Sequence, residues 1–461
     1  MEFCCAELPA STEFCCAELP ASEFRHTEPV DYLEALDHLD SLINYETTPR
    51  AGAIEDLALE PMAAFMGALG DPQRSFPVIH ITGTNGKGST ARMLESILTV
   101  MGLRVGLYTS PHLHEPRERI RIGGESIGED DFAMAIADVV RVEEVQGLGP
   151  RTWFDTVTSA ALLSFANEAV DVAVVEVGML GRYDSTNVVQ ADVAVVTNVG
   201  LDHTDGADGW RALVAAEKAG IVEPGRPVVV GERDAEVLAA VEAESPSVVV
   251  AMDRDYGVTQ NLLAVGGRLI DVHTPRARHE ELFVRLHGEH QGANAATAIA
   301  AAEEFFDAPL TDEVITEAFD TVVVDGRLQV VHRSPLVVVD AAHNVPGAEA
   351  LARAVEEEFG GGSRRFLVLG MQDGRSPAAV LAALDAASYE LVVACTAPSA
   401  RGVDAETLAA AAASVGARCD VIADVEGALD HAVSLAGPDD LVVVAGSITV
   451  VAAALTLADD W

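Results

Sequence analysis

The stretch FPVIHITGTNGKGSTARMLESILTVMG (76–102) joins a buried strand to a helix through a glycine-rich loop. FPVIHIT (76–82) is a continuous apolar run, which is typical of a strand covered on both faces. The segment after Thr90 has helical apolar spacing and ends at Gly102. Loops in this position bind phosphate, because glycines let backbone N–H groups close around the anion and the helix dipole attracts it.

We therefore predict a phosphate cradle in which Lys87 reaches the outer phosphates. The loop departs from the ordinary pattern G-x-x-x-x-G-K-[ST], since Ile81 stands at the first glycine and Gly88 follows the lysine. On the loop alone, an ordinary strand–helix turn is the alternative. The predicted nucleotide-binding residues here are Gly83, Thr84, Asn85, Gly86, Lys87, Gly88, Ser89 and Thr90.

Apolar strands and helical stretches alternate along the rest of the chain, which indicates parallel sheets covered on both faces. Residues 250–287 differ, with shorter strands, glycine turns and no long helix pattern. The predicted fold class is α/β. It comprises an N-terminal P-loop-type domain with a parallel sheet (26–306), a linker with hinge residues (307–324) and a C-terminal Rossmann-like α/β domain (325–461).

The charge is strongly unbalanced, with 29 Lys and Arg against 73 Asp and Glu, a formal net charge of −44. Such a surface excludes nucleic acid and anionic membranes as partners, since both need positive charge. No apolar run reaches the ~20 residues of a membrane span. Only two lysines occur, Lys87 and Lys218. We interpret this composition as adaptation to molar potassium salt, as in haloarchaea, because salt screens self-repulsion. The alternative is an arginine-biased, GC-rich genome, which does not explain the acidic excess.

The cysteines predict a reducing, cytoplasmic location, because only Cys395 and Cys419 lie in the body of the chain. The other four fall in a repeat, EFCCAELPAS at 2–11 and again at 13–22. A four-thiolate metal site is conceivable there, but the spacing matches no zinc pattern. We interpret residues 1–25 as a duplicated segment outside the fold, and no signal peptide is expected from it.

Several ordered blocks resemble the folylpolyglutamate synthase/dihydrofolate synthase family of Mur-type ligases. They are LGDPQRSFPVIHITGTNGKGST (69–90), TSPHL (109–113) with ERIRI (118–122), EVGMLGRYDSTN (176–187), LDH (201–203) with EKAGI (217–221), HGEHQGANAATA (287–298), DGRLQ (325–329) and VVDAAHNVPG (338–347). The resemblance spans about residues 30–455. It implies an ATPase domain and a glutamate ligase domain that close over ATP.

The resemblance implies an ATP-dependent ligase that joins L-glutamate to the carboxylate of dihydropteroate or of a reduced folate. The carboxylate attacks the γ-phosphate, and the amine of glutamate then attacks the acyl phosphate and releases phosphate. Two anions meet in the first step, so the site needs positive charge from Lys87, Mg²⁺ and a helix N-terminus.

Two Mg²⁺ ions are implied, one held by Ser110 and Glu176 and the other by Glu176 and His203. Glu176 ends an apolar strand at the sheet edge where α/β proteins bind ligands. Taken singly, Ser110 is also typical of a helix N-cap. A lone histidine such as His203 is more often an ordinary loop residue. The resemblance further implies a carbamylated Lys218, which requires a primary amine and excludes arginine. A surface ion pair with Glu217 or Asp208 is the alternative for Lys218. A K⁺ requirement is also expected.

In the second domain, the resemblance assigns Arg327 to the phosphates, Asp340 to the ribose or the incoming ammonium, and His343 to glutamate. Asn294 is assigned to the adenine or phosphate region. Thr152, Phe154 and Asp184 are candidates for the pterin pocket. Three departures from the family pattern are Gly178-Met179-Leu180-Gly181 for G-L-G-G, Asp325-Gly326-Arg327 for P-G-R and Trp153-Phe154-Asp155 for F-F-E.

Two of these departures flank the pterin side, so a second hypothesis is a Mur-type ligase that acts on a cell-wall precursor or an unusual pterin. A third hypothesis is a non-catalytic nucleotide-binding protein, against which the intact Lys87, Glu176, His203 and Lys218 argue. The expected oligomeric state is a monomer.

Overall fold

The structure, a computed structural model, describes residues 31–47, 58–147, 151–201, 208–360 and 364–458. The duplicated segment 1–25 and the predicted metal ligand His203 lie outside these residues. The described part forms two α/β domains, which confirms the predicted fold class. None of its helices combines the length and the apolarity needed to cross a bilayer.

The first domain is built around a large sheet. Its helices are α1 (Tyr32–Asp40), α2 (Glu60–Ala68), α3 (Lys87–Val100), α4 (Glu129–Gln146), α5 (Trp153–Asn167), α6 (Trp210–Ala219), α7 (Ala235–Ala243), α8 (His290–Phe306) and α9 (Asp312–Thr321). Its strands are β1 (Val78–Thr82), β2 (Val105–Tyr108), β3 (Ile120–Ile122), β4 (Glu125–Ser126), β5 (Val172–Glu176), β6 (Val193–Val196), β7 (Pro227–Val230), β8 (Val248–Ala251), β9 (Gly257–Ala264), β10 (Gly267–His273) and β11 (Arg278–Val284).

The strand order β4-β3-β2-β5-β1-β6-β7-β8 places β1 in the middle of the sheet. Strands β2, β5, β1, β6, β7 and β8 run parallel, and Ile81 of β1 lies opposite Glu176 of β5. Because parallel strands end at the same edge, the loops after β1, β5 and β6 meet there. This edge carries the predicted phosphate loop.

Helices cover both faces of the sheet. Helices α3 and α8 pack together on one face, where Ile79, Ile97 and Ile299 are fully buried. Helices α4 and α5 pack together on the other, with Phe132 and Phe165 buried. Strands β9, β10 and β11 form a separate antiparallel sheet against α8, which confirms the different character predicted for residues 250–287.

The second domain repeats the strand–helix alternation. Its elements are β12 (Gln329–Arg333), β13 (Leu336–Val339), α10 (Val345–Phe359), β14 (Arg365–Leu369), α11 (Pro377–Ala383), β15 (Leu391–Ala394), α12 (Ala405–Ser414), β16 (Cys419–Val421), α13 (Val425–Leu435), β17 (Leu441–Ala445) and α14 (Ile448–Ala458). The sheet order is β12-β13-β17-β14-β15-β16, and all strands except the edge strand β12 are parallel.

The predicted linker 307–324 needs correction, because it contains α9. This helix buries Ile315, Ala318 and Phe319 in the first domain's core, and it packs against α3 and β11. Those positions follow the i, i+3, i+4 spacing of an amphipathic helix. Val322 still belongs to the same core, so the connection between the domains is the short stretch after it.

A buried histidine ties α8, α9 and β11 together. His279 Nδ1 lies 2.6 Å from Asp312 Oδ1, and its Nε2 lies 3.5 Å from Glu303 Oε1. Burial opposes a charged ring, but the two carboxylates outweigh it and raise the pKa of His279. The protonated ring therefore stabilises the fold. This contribution is complete below the unfolded-state pKa of about 6.5 and is lost as the pH rises through the higher folded-state pKa.

His279→Gln is expected to lower the free energy of unfolding by about 1–3 kcal/mol below about pH 6.5, and by less at alkaline pH. Denaturant unfolding of both proteins across the pH range measures this difference. His431→Gln is the matched control, since its Nε2 lies 2.9 Å from Asp420 Oδ2 in an exposed pair. A difference between wild type and His279→Gln that stays constant with pH would contradict the role of the charged ring.

Candidate active site

The loop between β1 and α3 has the shape that its glycines predict. Gly86 has φ +83° and directly precedes α3. A Cβ at this position would lie 2.5 Å from Asn294 Oδ1, so a side chain is excluded by space as well as by backbone conformation. Asn294 is nearly buried and stands on the first turns of α8. The structure thus brings this predicted residue against the phosphate loop.

The loop after β6 holds the phosphate loop in place. Thr84 N and Asn85 N donate to Asn198 O and Asn198 Oδ1, at 3.0 and 2.9 Å. Thr197 Oγ1 and Asn198 Nδ2 both donate to Asn85 O, at 2.7 and 2.9 Å. Neither Thr197 nor Asn198 was predicted as a site residue from the sequence. The sequence feature that could have identified them is a Thr-Asn pair directly after an apolar strand, at the sheet edge where ligands bind.

Lys87 and Glu176 face each other at the N-terminus of α3. Lys87 Nζ lies 3.9 Å from Glu176 Oε1, and Ser110 N donates to Glu176 Oε2 at 3.1 Å. Burial raises the pKa of Glu176, although Lys87, the Ser110 N–H and Arg327 partly offset this effect. A further cation beside Glu176 would stabilise its ionised form, so this position fits a cation site.

Carboxylate and hydroxyl oxygens are the donors that Mg²⁺ prefers. Glu176 and Ser110 supply such oxygens, so the residues present fit one divalent ion. Within the described ranges, no group of three His, Cys, Asp or Glu side chains is placed to hold a metal. The phosphates and water would therefore complete the coordination. His203, the predicted ligand of the second ion, lies outside the described residues.

The second domain faces the phosphate loop with the turn before β12 and the loop after β13. Asp340 accepts hydrogen bonds from Leu328 N at 2.9 Å and from Ala342 N at 2.8 Å. Both of its oxygens thus join the turn that carries Arg327 to the loop that carries His343. His343 Nδ1 lies 2.8 Å from Ala341 O.

A reciprocal amide pair connects the two domains at the phosphate loop. Asn85 Nδ2 donates to Asn344 Oδ1 at 3.2 Å, and Asn344 Nδ2 donates to Asn85 Oδ1 at 3.1 Å. Asn344 also caps α10, since its Oδ1 accepts from Gly347 N at 2.9 Å. Asn344 belongs to the block VVDAAHNVPG (338–347), but it was not predicted as a site residue. The sequence feature that could have identified Asn344 is its place directly before Val-Pro at the start of a helix.

The three candidates for the pterin pocket lie near one another. Thr152 caps α5, and its Oγ1 accepts from Asp155 N at 3.1 Å. Asp184 accepts from Met179 N at 2.8 Å and from Thr186 Oγ1 at 2.6 Å, and burial raises its pKa. The polar atoms of both residues therefore serve local structure. Phe154 instead presents a ring, which is tilted against Tyr108 at 6.1 Å between centroids.

The substituted glycine of this region is Leu180, which adopts φ +61°. This left-handed conformation costs a residue with a side chain about 1–2 kcal/mol. The side chain is almost fully buried, and Thr82 Oγ1 donates to Leu180 O. The departure from the family pattern therefore preserves the backbone path, and apolar burial compensates for the strain.

A buried arginine forms part of the same wall. Arg119 donates to both Glu46 carboxylate oxygens, at 2.9 and 2.6 Å, and its Nε donates to His112 Nδ1 at 2.9 Å. Its guanidinium lies 4.5 Å from the ring centroid of Trp153. Burial and Arg119 lower the pKa of His112 to about 4, so this ring is neutral. Arg119 belongs to the block ERIRI (118–122), but it was not predicted as a site residue.

These residues surround one cleft of about 1550 Å³ between the domains. That volume exceeds the ~300–1,000 Å³ of ordinary ligand pockets, so it has room for a nucleotide and a second substrate. Gly83 and Thr90 lie behind the cleft, and Lys218 is buried on α6, away from the cleft wall. The predicted residues on the wall are Thr84, Asn85, Gly86, Lys87, Gly88, Ser89, Ser110, Thr152, Phe154, Glu176, Asp184, Asn294, Arg327, Asp340 and His343.

Comparison with known proteins identifies the family. Residues 81–302 match the Mur ligase middle domain, and residues 326–448 match the Mur ligase glutamate ligase domain. The chain is 37% identical to the dihydrofolate synthase/folylpolyglutamate synthase of Mycobacterium tuberculosis, over 87% of this chain and 90% of that protein. The chain belongs to the dihydrofolate synthase/folylpolyglutamate synthase family of Mur ligases. It is therefore an ATP-dependent, amide-forming ligase that adds glutamate to a pteroate or folate carboxylate.

A relative from Haloferax volcanii matches the chain over most of its length. The chain is 34% identical to the probable bifunctional folylpolyglutamate synthase/dihydropteroate synthase of Haloferax volcanii, over 93% of this chain. This chain spans only 50% of the length of the Haloferax volcanii protein.

Solved structures of family members share the fold and bind nucleotides. The Mycobacterium tuberculosis folylpolyglutamate synthase in complex with ADP has a TM-score of 0.85 and 34% identity, over 93% of this chain and 98% of that one. The Escherichia coli enzyme in complex with DHPP and ADP has a TM-score of 0.82 and 31% identity, over the same shares. A bifunctional family member with Mn, AMPPNP and L-glutamate bound has a TM-score of 0.81 and 31% identity, again over 93% and 98%.

Proposed function

We propose that this ligase uses both dihydropteroate and reduced folate as glutamate acceptors. The relatives from Mycobacterium tuberculosis and Escherichia coli carry both activities in their names. The Haloferax volcanii relative pairs its ligase name with dihydropteroate synthase, the enzyme that makes dihydropteroate. The observation that carries the ATP-dependent step of the proposal is the position of Lys87 and Glu176 at the start of α3, across the cleft from the turn that bears Arg327.

In this proposal the phosphates of ATP lie at the N-terminus of α3. The backbone of residues 83–90 surrounds them, and Lys87 and Arg327 contribute charge from opposite domains. Asn294 contacts the nucleotide from the first turns of α8. A bound divalent ion, held by Ser110 and Glu176, would neutralise phosphate charge as the acceptor carboxylate approaches.

The acceptor carboxylate attacks the γ-phosphorus, and the bond to ADP breaks. The glutamate amine then attacks the carbonyl carbon of the acyl phosphate, and phosphate leaves as the amine loses a proton. We assign the glutamate-facing wall to the loop after β13, with His343 and the backbone that Asp340 orders. We also propose that the protein acts as a monomer in the cytoplasm, and the free cysteines Cys395 and Cys419 support a reducing compartment.

The pterin pocket in this proposal is the wall formed by Phe154, Trp153 and the loop that Asp184 holds. Phe154 supplies an apolar face, and aromatic side chains of this kind stack on planar heterocycles. We assign Thr152 and Asp184 a shaping role there, since their oxygens hold the start of α5 and the loop after β5.

ATP-dependent phosphate release in molar KCl with Mg²⁺ and L-glutamate tests the acceptor. We expect turnover with dihydropteroate and also with tetrahydrofolate, each with a product heavier by one glutamate. Turnover with only one acceptor would contradict the dual activity. Folded protein that is silent with both would instead favour a different acceptor. Replacing KCl by NaCl in the same assay tests the expected K⁺ requirement.

A further inference from the structure

The last turn of α10 carries a buried carboxylate that reaches across the domain interface. Glu358 Oε1 accepts from Arg268 Nη1 at 3.0 Å and from Gly288 N at 2.8 Å. Glu358 Oε2 lies 2.8 Å from His287 Nδ1. The side chains of Glu358 and Arg268 are each only 1% exposed. Burial would raise the pKa of Glu358, but the hydrogen bonds from His287 and Gly288 lower it, so the group is held ionised.

The first domain holds Arg268 in place from behind. Arg268 Nε donates to Asn261 Oδ1 at 2.8 Å, and its Nη2 donates to Asn261 O at 3.2 Å. Asn261 Nδ2 in turn donates to Glu289 O at 2.9 Å. The loop 287–289 is therefore fixed on one side by Asn261 of β9 and on the other by Glu358 of the second domain.

This loop lies between two elements of the nucleotide site. Gly288 has φ +99°, and a Cβ there would lie 2.8 Å from Leu328 Cδ1 and 2.4 Å from the His290 ring. Leu328 follows Arg327, and His290 begins the helix that carries Asn294 against the phosphate loop. The backbone at Gly288 thus touches both the turn of Arg327 and the start of α8.

Helix α10 contacts the first domain at both ends. Its cap Asn344 pairs with Asn85 of the phosphate loop, and its last turn carries Glu358. Glu358 stands 14 positions after Asn344, so the two contacts are about 21 Å apart along the helix. A rigid helix anchored at both ends sets the position of the second domain relative to the bound nucleotide.

We propose that Glu358 is a positioning residue for nucleotide binding: it holds the Gly288 loop so that Arg327 and Asn294 converge on one nucleotide. The inference rests on the proposed roles of those two residues at the ATP site. Glu358 itself does not line the cleft, so its effect passes through Gly288 and Arg268.

The chain offers a matched control in the neighbouring residue. Glu357 Oε1 also lies 3.0 Å from Arg268 Nη1, but its side chain is 43% exposed. Glu357→Gln and Glu358→Gln therefore remove the same charge from the same arginine. Among the described residues, only Glu358 of the two accepts hydrogen bonds from the Gly288 loop. If Glu358 acted only through its charge, Glu357→Gln and Glu358→Gln would weaken ADP binding equally.

Calorimetric titration of ADP into the whole protein in molar KCl tests this inference without depending on turnover. We expect Glu358→Gln to weaken ADP binding by about tenfold, because a charge-assisted hydrogen bond contributes on that scale. Glu357→Gln should stay within about twofold of wild type. The KM for dihydropteroate should change by less than about twofold in both variants, since the pterin wall lies on other elements.

His287→Gln provides a second variant if Glu358→Gln folds poorly, because it keeps the buried pair of Glu358 with Arg268. It is expected to weaken ADP binding by about threefold. Suppose that the wild type binds ADP and that folded Glu358→Gln and His287→Gln bind it equally well. This result would overturn the inference about Glu358 but not the proposed nucleotide site. Wild-type protein that fails to bind ADP would overturn the proposed nucleotide site, and this inference with it.

Discussion

Lys218→Arg is expected to reduce turnover by at least about a thousandfold, although arginine carries the same positive charge as an unmodified lysine. The family resemblance implies a carbamate on this lysine, and a guanidinium cannot form one. Lys218 stands in the last turn of α6 and is only 4% exposed. Its backbone packs against the loop after β5, where a Cβ on Gly181 would lie 3.1 Å from Lys218 Cα.

The measurement combines phosphate release with intact-protein mass under non-denaturing conditions. Wild type should carry one added carbon dioxide, and Lys218→Arg should lack it. Arg211→Lys is the matched control, since it makes the opposite exchange on the same helix at a half-exposed pair with Glu232. Lys218→Ala supplied with acetate tests whether a free carboxylate restores turnover. A fully active Lys218→Arg would refute the carbamate.

Lys87→Ala is expected to lower kcat/KM for ATP by about 10³-fold, because it removes a charge from the place where two anions meet. The loss is larger than for a surface cation, since Lys87 Nζ also lies 3.9 Å from the buried carboxylate of Glu176. Without the lysine, that carboxylate faces the phosphates unneutralised. Lys87→Arg should recover only part of the loss, because arginine is longer and its donors are fixed in a planar fork.

Steady-state phosphate release with varied ATP measures this effect. Arg92→Ala, which removes a cation from the same helix, is the control, because Arg92 pairs with Glu95 and lies outside the cleft. It should change kcat/KM by less than about threefold. A Lys87→Ala enzyme that keeps more than about a tenth of wild-type kcat/KM would contradict the proposed phosphate site.

Much of the fold was readable from the sequence, because its signals are local. The strands β1, β5, β6 and β17 are unbroken apolar runs, and the glycine-rich loop stands between a strand and a helix. The strand–helix alternation that these runs show is sufficient to predict parallel sheets. The position of Glu176 beside the phosphate loop followed from the same rule, since parallel strands end at one edge.

The exception within the fold was α9, which the sequence analysis assigned to a linker. Its apolar positions Ile315, Ala318 and Phe319 have helical spacing, so the signal was present but short. A helix of ten residues is marginal by itself, and packing against α3 and β11 stabilises it.

What the sequence determined by itself was the class of most elements, the phosphate loop and the set of residues that carry the family resemblance. Tertiary structure alone decided which polar groups from distant parts of the chain pair with one another. Asn85 meets Asn344 from 259 residues away, Arg119 takes Glu46 as its partner, and Glu358 reaches Arg268 in another domain. Apolar periodicity can be recognised among neighbouring residues, because buried positions recur every few residues along a strand or a helix. A single polar pair has no such repeat, and its geometry exists only once the packed sheets bring distant loops together.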